Sequence, residues 1–411
     1  MWSSARVLVP TATAAFGVLV GFLPPAVLAA TAPPDQFTPN PRVGPGGTRY
    51  KDSPHFRIYA ATSDAVADGA IAMLEAAYSC FVGDLGWRSP GLSFKQETDD
   101  GPWNKLNVYQ VDTLPGAAAN TPTDQTLGLA WLNVVKTYMT EPSVVVHEFG
   151  HALTYCEHYW IDQIRTGAWW ETVANFVADT YLTSHLCAKA RAKFNQKEGS
   201  TLIDLKKVIG DSYQVIVDGT RDTGNYYQAW PFLTYMHNNP DNITGLGTSM
   251  FPAVWTKYKR NSNETPLHAR MAFVDIGSPK AQAQFTSQRK TLNYSNLDSQ
   301  GSGRYRVKTA RRPRYMGASI INLKVTSSNL VVNVTANAPF TATLVVRAAN
   351  GFIRYISLPG GNGQASVGGG DEAAIAVANT PDSLVLFDPF QLTAETNTGL
   401  DYQIVLNGAT A

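Results

Sequence analysis

One short motif has the residue types and spacing to bind a metal ion and use it for hydrolysis. It is HEFGH at residues 147–151, within the apolar stretch SVVVHEFGHAL. On an α-helix, residues four apart lie about one turn apart on the same face, so His147 and His151 can reach one ion. Glu148 follows the first histidine directly, where it can take a proton from water activated by that ion. The motif predicts one zinc ion per chain, with Glu148 as the general base.

A catalytic zinc ion usually has three protein ligands and one open position. We predict that Glu171, in the segment WWETVANFVADTY, is the third ligand, because the intervening chain allows one helix to end and a second to return. On that second helix Glu171, Asn175 and Asp179 recur at every fourth position and form a polar stripe. The stripe predicts that Asn175 or Asp179 accepts the ring N–H of a ligand histidine.

Hydrolysis of an acyl group also requires a donor for the developing oxyanion. Tyr226 and Tyr227 open the predicted helix YYQAWPFLTYMHNN, and of the two we select Tyr227 as the candidate. An aromatic residue at helical spacing serves equally well in a hydrophobic core, and that alternative stays open.

The pattern HExxH followed by Glu171 on a later helix resembles the gluzincin type of zinc metallopeptidase, the thermolysin-like arrangement. The resemblance implies that His147, His151 and Glu171 bind zinc and that Glu148 is the general base. One departure is visible, because Asn175 occupies the position at which thermolysin-like enzymes have an acidic residue. Asn175 can orient a histidine but adds no negative charge.

Two other zincin patterns fit less well. The metzincin pattern is broken, since Thr154 and Glu157 occupy its glycine and third-histidine positions and His158 is out of step. The segment GTRDTGNYY, residues 219–227, partly resembles the aspzincin pattern, but Asp222 comes one position early.

More of the chain is similar to a family of secreted, mostly uncharacterised proteins with a zincin-like domain and a β-rich C-terminal module. The segments that carry this resemblance are SPHFRIYA at the start, VVVHEFGHALTY, RMAFVDIG at residues 270–277 and PRYMGASIINL at residues 313–323. The resemblance implies little about the reaction.

Length and composition set the broad class of protein. The chain has 411 residues, 44% of them hydrophobic, and a formal net charge of +1. We therefore expect two folded domains and no nucleic-acid partner.

The N-terminus predicts export. Residues 7–30 carry no charged side chain, and small residues at Ala29 and Ala30 follow two prolines, so residues 1–30 are predicted to be a signal peptide. We expect no membrane association after its removal and an extracellular location. Four glycosylation sequons agree with export, at Asn242, Asn263, Asn293 and Asn333.

The chain has three cysteines. They can form at most one intramolecular disulfide, which would leave one free thiol. We favour a bridge between Cys156 and Cys187, with Cys80 as a buried thiol in a helix. Three free thiols are the alternative.

Hydrophobic periodicity predicts an α+β domain over residues 48–303, after an extended Pro- and Gly-rich segment at 31–47, and the resemblance implies that this domain is zincin-like. Strands are expected at 55–59, 105–111 and 127–135, and helices at 64–81, 169–183, 226–236 and 252–259. A further helix should start at Thr140, Glu141 and Pro142 as cap, first-turn acid and first-turn proline, and it carries the histidine motif.

The pattern changes near residue 301. A basic stretch at 304–314 is expected to be a solvated linker. Residues 315–411 are predicted to form an antiparallel β-sandwich, with short strands at 319–325, 330–335, 341–346, 353–357, 374–377, 383–387 and 403–406.

These features favour a secreted zinc metallopeptidase acting on peptide or protein substrates. A rival hypothesis is an inactive zincin-like protein whose sandwich binds carbohydrate or a surface through Tyr305, Tyr315, Phe352 or Tyr355. A third keeps the zinc but acts on a glycan-linked or small amide substrate.

Overall fold

The computed structural model of the protein describes residues 33–158, 164–240, 242–258 and 295–411. A mixed α/β region forms the N-terminal part, and two antiparallel β-sheets form most of the C-terminal part. The predicted order of an α+β region followed by an antiparallel β region is therefore confirmed.

The N-terminal region is built on a mixed sheet with the strand order β1-β2-β3-β6-β4, in which β5 also pairs with β6. β2, β3 and β6 run parallel, whereas β4 and β5 run antiparallel to β6. The three predicted strands are present as β2, β3 and β6. The strand bounds are β1 (Tyr50–Asp52), β2 (Phe56–Tyr59), β3 (Leu106–Val111), β4 (Ala119–Asn120), β5 (Thr123–Asp124) and β6 (Leu129–Val135).

Two helices, at Asp64–Tyr78 and Pro142–Tyr155, pack their apolar faces against this sheet, and the helix at Gly167–Thr183 packs on the second of them. The predicted helix at 226–236 instead begins at Trp230, where Pro231 occupies the first turn, and residues 225–227 form a separate 3₁₀ turn. The helix bounds are α1 (Asp64–Tyr78), α2 (Pro142–Tyr155), α3 (Gly167–Thr183), α4 (Ala188–Lys193), α5 (Trp230–Asn238), α6 (Met250–Lys257) and α7 (Ala394–Asn397).

The disulfide joins Cys80 to Cys187, not Cys156 to Cys187 as predicted. After α1 the chain continues in a π-helical turn at Ser79–Asp84, which brings Cys80 next to the short turn that precedes α4. Cys156 lies at the C-terminal end of α2 as a buried free thiol. Sequence proximity favoured the wrong pair, because α1 and α4 meet in space although they are far apart in the chain.

The extended segment before the first strand packs on the N-terminal region. Its described residues, 33–47, include the buried side chains Phe37 and Val43. Phe37 packs edge-on against His55 at 4.7 Å between ring centroids, and Asn107 donates to the Val43 carbonyl oxygen at 2.9 Å. The extended segment is therefore fixed on the N-terminal region by apolar and hydrogen-bond contacts.

The C-terminal strands form two five-stranded antiparallel sheets, β13-β10-β15-β8-β7 and β12-β11-β14-β9-β16. Buried residues of both sheets form one apolar core, as in a β-sandwich. The strand bounds are β7 (Leu297–Gly301), β8 (Arg304–Val307), β9 (Ala318–Val325), β10 (Asn329–Ala336), β11 (Phe340–Arg347), β12 (Ile353–Ser357), β13 (Asn362–Ser366), β14 (Glu372–Asn379), β15 (Tyr402–Asn407) and β16 (Ala409–Thr410).

Two predictions for this part are wrong. The stretch 304–314 is not simply a solvated linker, because its first four residues form β8, which pairs with β15 and buries Tyr305 and Val307 in the sandwich core. Residues 383–387 do not form a strand. They belong to a segment that leaves the sandwich and inserts Phe387 into the N-terminal core.

Some predictions fall outside the described residues, namely the signal peptide at 1–30 and the sequons at Asn263 and Asn293.

Within the described residues, the helical stretch Asp64–Asp84 is long and apolar enough to cross a membrane by length and composition alone. A core helix passes the same test, and 56% of this stretch is buried inside the protein.

Candidate metal centre

The histidine motif lies on α2, which begins at Pro142 and ends at Tyr155. Glu141 is the N-cap, and its side chain accepts a hydrogen bond from the Ser143 backbone N–H at 3.3 Å, so Thr140 is not the cap that the sequence predicted. The opposite face of α2 is fully buried, and each such side chain contributes about 1.5–3 kcal/mol to stability. That buried face comprises Val145, Val146, Phe149 and Leu153.

α3 packs closely on α2 at Gly150. A Cβ atom built on Gly150 would lie 2.8 Å from Ala174 Cα and 3.2 Å from Val177 Cβ, so only glycine permits this approach. Ala174 is one turn past Glu171 on α3. The missing side chain at Gly150 therefore lets the Glu171 carboxylate approach the histidines of α2.

The three predicted ligand atoms converge. Glu171 Oε2 lies 3.2 Å from His147 Nε2 and 3.4 Å from His151 Nε2, and the two Nε2 atoms are 3.1 Å apart. Tetrahedral coordination with bonds of about 2.0–2.1 Å places neighbouring donor atoms roughly 3.3 Å apart. Two imidazoles and one carboxylate are also a donor set that zinc accepts, so the residues present fit that ion in both chemistry and spacing.

Within the described residues, these three side chains form the group of metal-binding type whose donor atoms lie close enough to share an ion. Although burial alone would raise it, the pKa of Glu171 is held well below its usual range by hydrogen bonds from His147 and His151 and by their charge. Glu171 therefore stays ionised throughout the physiological pH range, as a metal ligand must.

Asn175 is placed as the sequence predicted, and Asp179 is not. The Asn175 Oδ1 atom lies 2.7 Å from His147 Nδ1, which leaves Nε2 of that ring directed at the cluster. Asp179 instead accepts hydrogen bonds from the Thr201 hydroxyl and the Leu202 backbone N–H, both at 2.7 Å. Two turns along α3 from Glu171, Asp179 faces the chain after α4.

Glu148 is buried and lines the same cleft. Its Oε2 atom lies 2.6 Å from the Thr121 hydroxyl, which also lies 3.1 Å from the Glu148 carbonyl oxygen. The hydroxyl has one proton and donates it to the closer and charged acceptor. Thr121 thus fixes one carboxylate oxygen and leaves the other for chemistry, a role that no sequence motif indicated.

Thr121 belongs to the edge of the sheet, between β4 and β5. On either side of Thr121, the chain pairs with β6 through backbone hydrogen bonds. The Ala118 carbonyl oxygen accepts from the Val135 N–H, and the Pro122 carbonyl oxygen accepts from the Trp131 N–H. In an antiparallel ladder the bonding direction alternates, so the backbone N–H and C=O groups of Ala119 and Thr121 point away from β6. An extended chain could pair with this edge.

Tyr227, rather than Tyr226, reaches the cleft. Its ring lies 6.5 Å from the His147 ring between centroids, and 38% of the residue is exposed. Burial of the remainder, together with the negative charge of Glu171, raises the pKa of Tyr227. A tyrosine hydroxyl is protonated at neutral pH and can donate a hydrogen bond.

The cleft has a volume of about 460 Å³ and is bounded by the sheet edge, α2, α3 and Tyr227. The remaining lining residues were not selected from the sequence, because they share no motif with the histidines. They include Asn120, Gln125, Thr154, Tyr155 and Trp170.

The competing ligands lie elsewhere. His158 contacts the Phe94 carbonyl oxygen at 3.1 Å and Asp99 at 3.6 Å, and Asp222 is an exposed side chain beside Arg221. Among the aromatic residues considered for a carbohydrate surface, Tyr305 and Tyr315 are buried. These two cannot contribute to a stacking surface for sugars.

The class of protein is thus an α+β region bearing a His-His-Glu cluster in a cleft, joined to an antiparallel β module. Residues 53–338 match a family of unknown function, DUF6055, and the chain belongs to that family. A comparison with curated proteins finds no match for the chain.

Proposed function

We propose that this protein is a secreted zinc-dependent peptidase of the gluzincin type, with its active site in the cleft between α2, α3 and the β4 edge. The observation that carries the proposal is the triangle of donor atoms from His147, His151 and Glu171, with edges of 3.1–3.4 Å. Two imidazole nitrogens and one carboxylate oxygen at this mutual spacing match the ligand set and geometry of a catalytic zinc ion.

Zinc held by these residues would act as a Lewis acid that polarises a carbonyl group and lowers the pKa of water. Glu148 lies beside the cluster with one oxygen bound by Thr121. Its other oxygen can take a proton from the attacking water and return it to the leaving nitrogen. With zinc bound, Asn175 would accept the Nδ1 proton of His147 and so leave Nε2 free for the ion.

Tyr227 supplies the hydrogen bond that a tetrahedral oxyanion needs. It faces the cleft opposite the sheet edge, and its raised pKa keeps the donor proton in place. The backbone groups of Ala119 and Thr121 can bind an extended peptide as an added strand. Main-chain pairing of this kind favours a peptide over a small amide.

The test compares wild type with Glu148→Gln on an unfolded protein substrate, with zinc measured by mass spectrometry. We expect the variant to keep one zinc ion per chain. Its rate of proteolysis should fall by at least about a thousandfold, because the general base and its charge are removed. A matched control is Glu97→Gln, an exposed acid in the same region that should retain full activity. Full activity in Glu148→Gln would refute the proposal.

The secreted location rests on the apolar residues 7–30. We expect the exported protein to begin directly after Ala29 or Ala30. Intact-mass measurement of the protein from the medium decides this, and retention of residues 1–30 would count against export by this signal.

A further inference from the structure

The β module reaches into the N-terminal region through residues 384–392, which we call the C-terminal arm. Phe387 of the arm is completely buried in the N-terminal core. The Gly219 backbone N–H donates to the Pro389 carbonyl oxygen at 2.9 Å, and the Val385 backbone N–H donates to the Tyr315 hydroxyl at 3.1 Å. The arm is therefore fixed at both ends by apolar and hydrogen-bond contacts.

Phe390 of the arm sits where two glycines leave room for its ring. A Cβ atom on Gly167 would lie 2.6 Å from Phe390 Cε2, and one on Gly219 would lie 2.8 Å from Phe390 Cδ1. Gly167 is the first residue of α3, one turn before Glu171. The Phe390 ring, although the residue is 46% exposed, thus lies against the start of the helix that carries Glu171.

The same ring contacts the turn that carries the candidate oxyanion donor. Phe390 packs edge-on against Tyr226 at 6.2 Å between centroids, and Tyr226 packs against Tyr227 at 4.4 Å. α3 holds the backbone of this pair, because Thr172 and Asn175 donate to the carbonyl oxygens of Tyr226 and Tyr227, both at 2.6 Å. The backbone is therefore fixed by α3, and the Tyr226 ring contacts the arm as well as Tyr227.

We infer that Phe390 is a positioning residue for the active site: through Tyr226 it holds the Tyr227 ring in the cleft, so the β module takes part in catalysis. The inference rests on the proposed function. Tyr227 is on a short 3₁₀ turn and is partly exposed, and the Tyr226 ring is the nearest aromatic neighbour of its side chain. Loss of the Phe390 ring would leave Tyr226 without its edge contact and allow Tyr227 to turn away from the cleft.

The experiment is a double-mutant cycle on the full chain with Phe390→Ala and Tyr227→Phe. We expect Tyr227→Phe to lower kcat about a hundredfold, as loss of one oxyanion donor does. Phe390→Ala should lower kcat about tenfold with little change in KM, because a displaced Tyr227 hydroxyl would stabilise the oxyanion less well. In the Tyr227→Phe background, Phe390→Ala should have no further effect on kcat.

Two further variants separate positioning from general damage to the fold. Phe390→Tyr keeps the ring and should retain the wild-type kcat. Phe352→Ala removes a 65% exposed aromatic side chain from the same module and should leave kcat unchanged. All variants are assayed at a temperature well below their measured Tm.

The inference is overturned if Phe390→Ala retains full kcat, or if its loss is undiminished in the Tyr227→Phe background. Its failure is distinct from failure of the proposed function. If Glu148→Gln abolishes proteolysis while the cycle shows no coupling, the peptidase assignment stands and the role of the arm is rejected. If Glu148→Gln stays active, the peptidase assignment itself fails.

Discussion

Asn175 links the metal cluster to the turn that bears Tyr227, because Asn175 Oδ1 lies 2.7 Å from His147 Nδ1 while Asn175 Nδ2 donates to the Tyr227 carbonyl oxygen at 2.6 Å. One amide thus orients a ligand histidine and anchors the neighbouring turn. An aspartate at this position would keep the first contact and lose the second, since a carboxylate has no donor.

The first prediction concerns this amide. Asn175→Leu should weaken zinc binding about 10–100-fold, because His147 loses the acceptor that fixes its tautomer and ring orientation. Asn175→Asp should bind zinc at least as tightly as wild type, since a carboxylate is the stronger acceptor. Competition with a chromophoric chelator measures both affinities.

Asp179→Asn is the matched control for that prediction. Asp179 lies one turn further along the same polar stripe but contacts Thr201 and Leu202 rather than a histidine. Its substitution should leave the zinc affinity unchanged. A larger loss of affinity at Asp179 than at Asn175 would contradict the assignment.

The second prediction concerns the helix contact at Gly150. Gly150→Ala should lower the free energy of unfolding by about 1–3 kcal/mol, since the methyl group would meet Ala174 and Val177 of α3. The same displacement should weaken zinc binding by moving Glu171 away from the histidines. Gly83→Ala is the control, because a Cβ atom there meets nothing within 4 Å. Equal stability of the two variants in urea unfolding would contradict the prediction.

The third prediction concerns the cysteines. The Cys80–Cys187 bridge closes a loop of sequence separation 107 that contains α2 and α3, so its removal should cost about 3–5 kcal/mol of unfolding free energy. Urea unfolding of the double variant Cys80→Ser/Cys187→Ser tests this. Cys156→Ala removes the buried free thiol and measures the effect of a packing change alone. Thiol titration in denaturant without reductant should find one thiol per chain. Three thiols would exclude the bridge.

The cluster of His147, His151 and Glu171 was predictable from the sequence because its parts are local. His147 and His151 are fixed by helical periodicity, and Glu171 is recognisable from the polar stripe on an otherwise apolar helix. Periodicity could not predict whether Asn175 or Asp179 contacts a histidine, because both lie on that stripe. Only the packing of α3 against α2 decides which of them faces a histidine.

Long-range contacts account for what the sequence did not reveal. Thr121 reaches Glu148 from the sheet edge, and Phe390 reaches Tyr226 from the other domain, and neither residue belongs to a motif. The disulfide was mispredicted for the same reason, since pairing depends on where α1 and α4 meet. Hydrophobic periodicity and residue spacing indicate local structure but carry no information on contacts between elements that are distant in the chain.

The last prediction concerns His237, a buried side chain of α5 outside the metal cluster. Its ring packs against Phe176 at 5.2 Å and Phe251 at 6.1 Å between centroids. Burial lowers the pKa of His237 to about 4, an effect that the Asn238 side chain offsets only in part. In the unfolded chain a histidine has a pKa of about 6.5.

The unfolded state therefore binds more protons than the folded state between pH 6.5 and pH 4. The stability associated with neutral His237 is fully present above about pH 6.5 and is lost as the pH falls toward 4, at most about 3 kcal/mol in total. His237→Phe cannot be protonated, so its stability should decline less than that of wild type over this range. Any constant packing cost of the larger ring cancels in the comparison between two pH values.

Urea unfolding at pH 7.5 and pH 4.5 measures the effect. Protonation of the metal-binding histidines destabilises wild type and variant alike, so the difference between the two proteins isolates His237. His185→Gln, at an exposed histidine, is the control and should follow the wild-type profile. If His237→Phe and wild type lose equal stability between the two pH values, His237 is not the buried neutral group that its surroundings require.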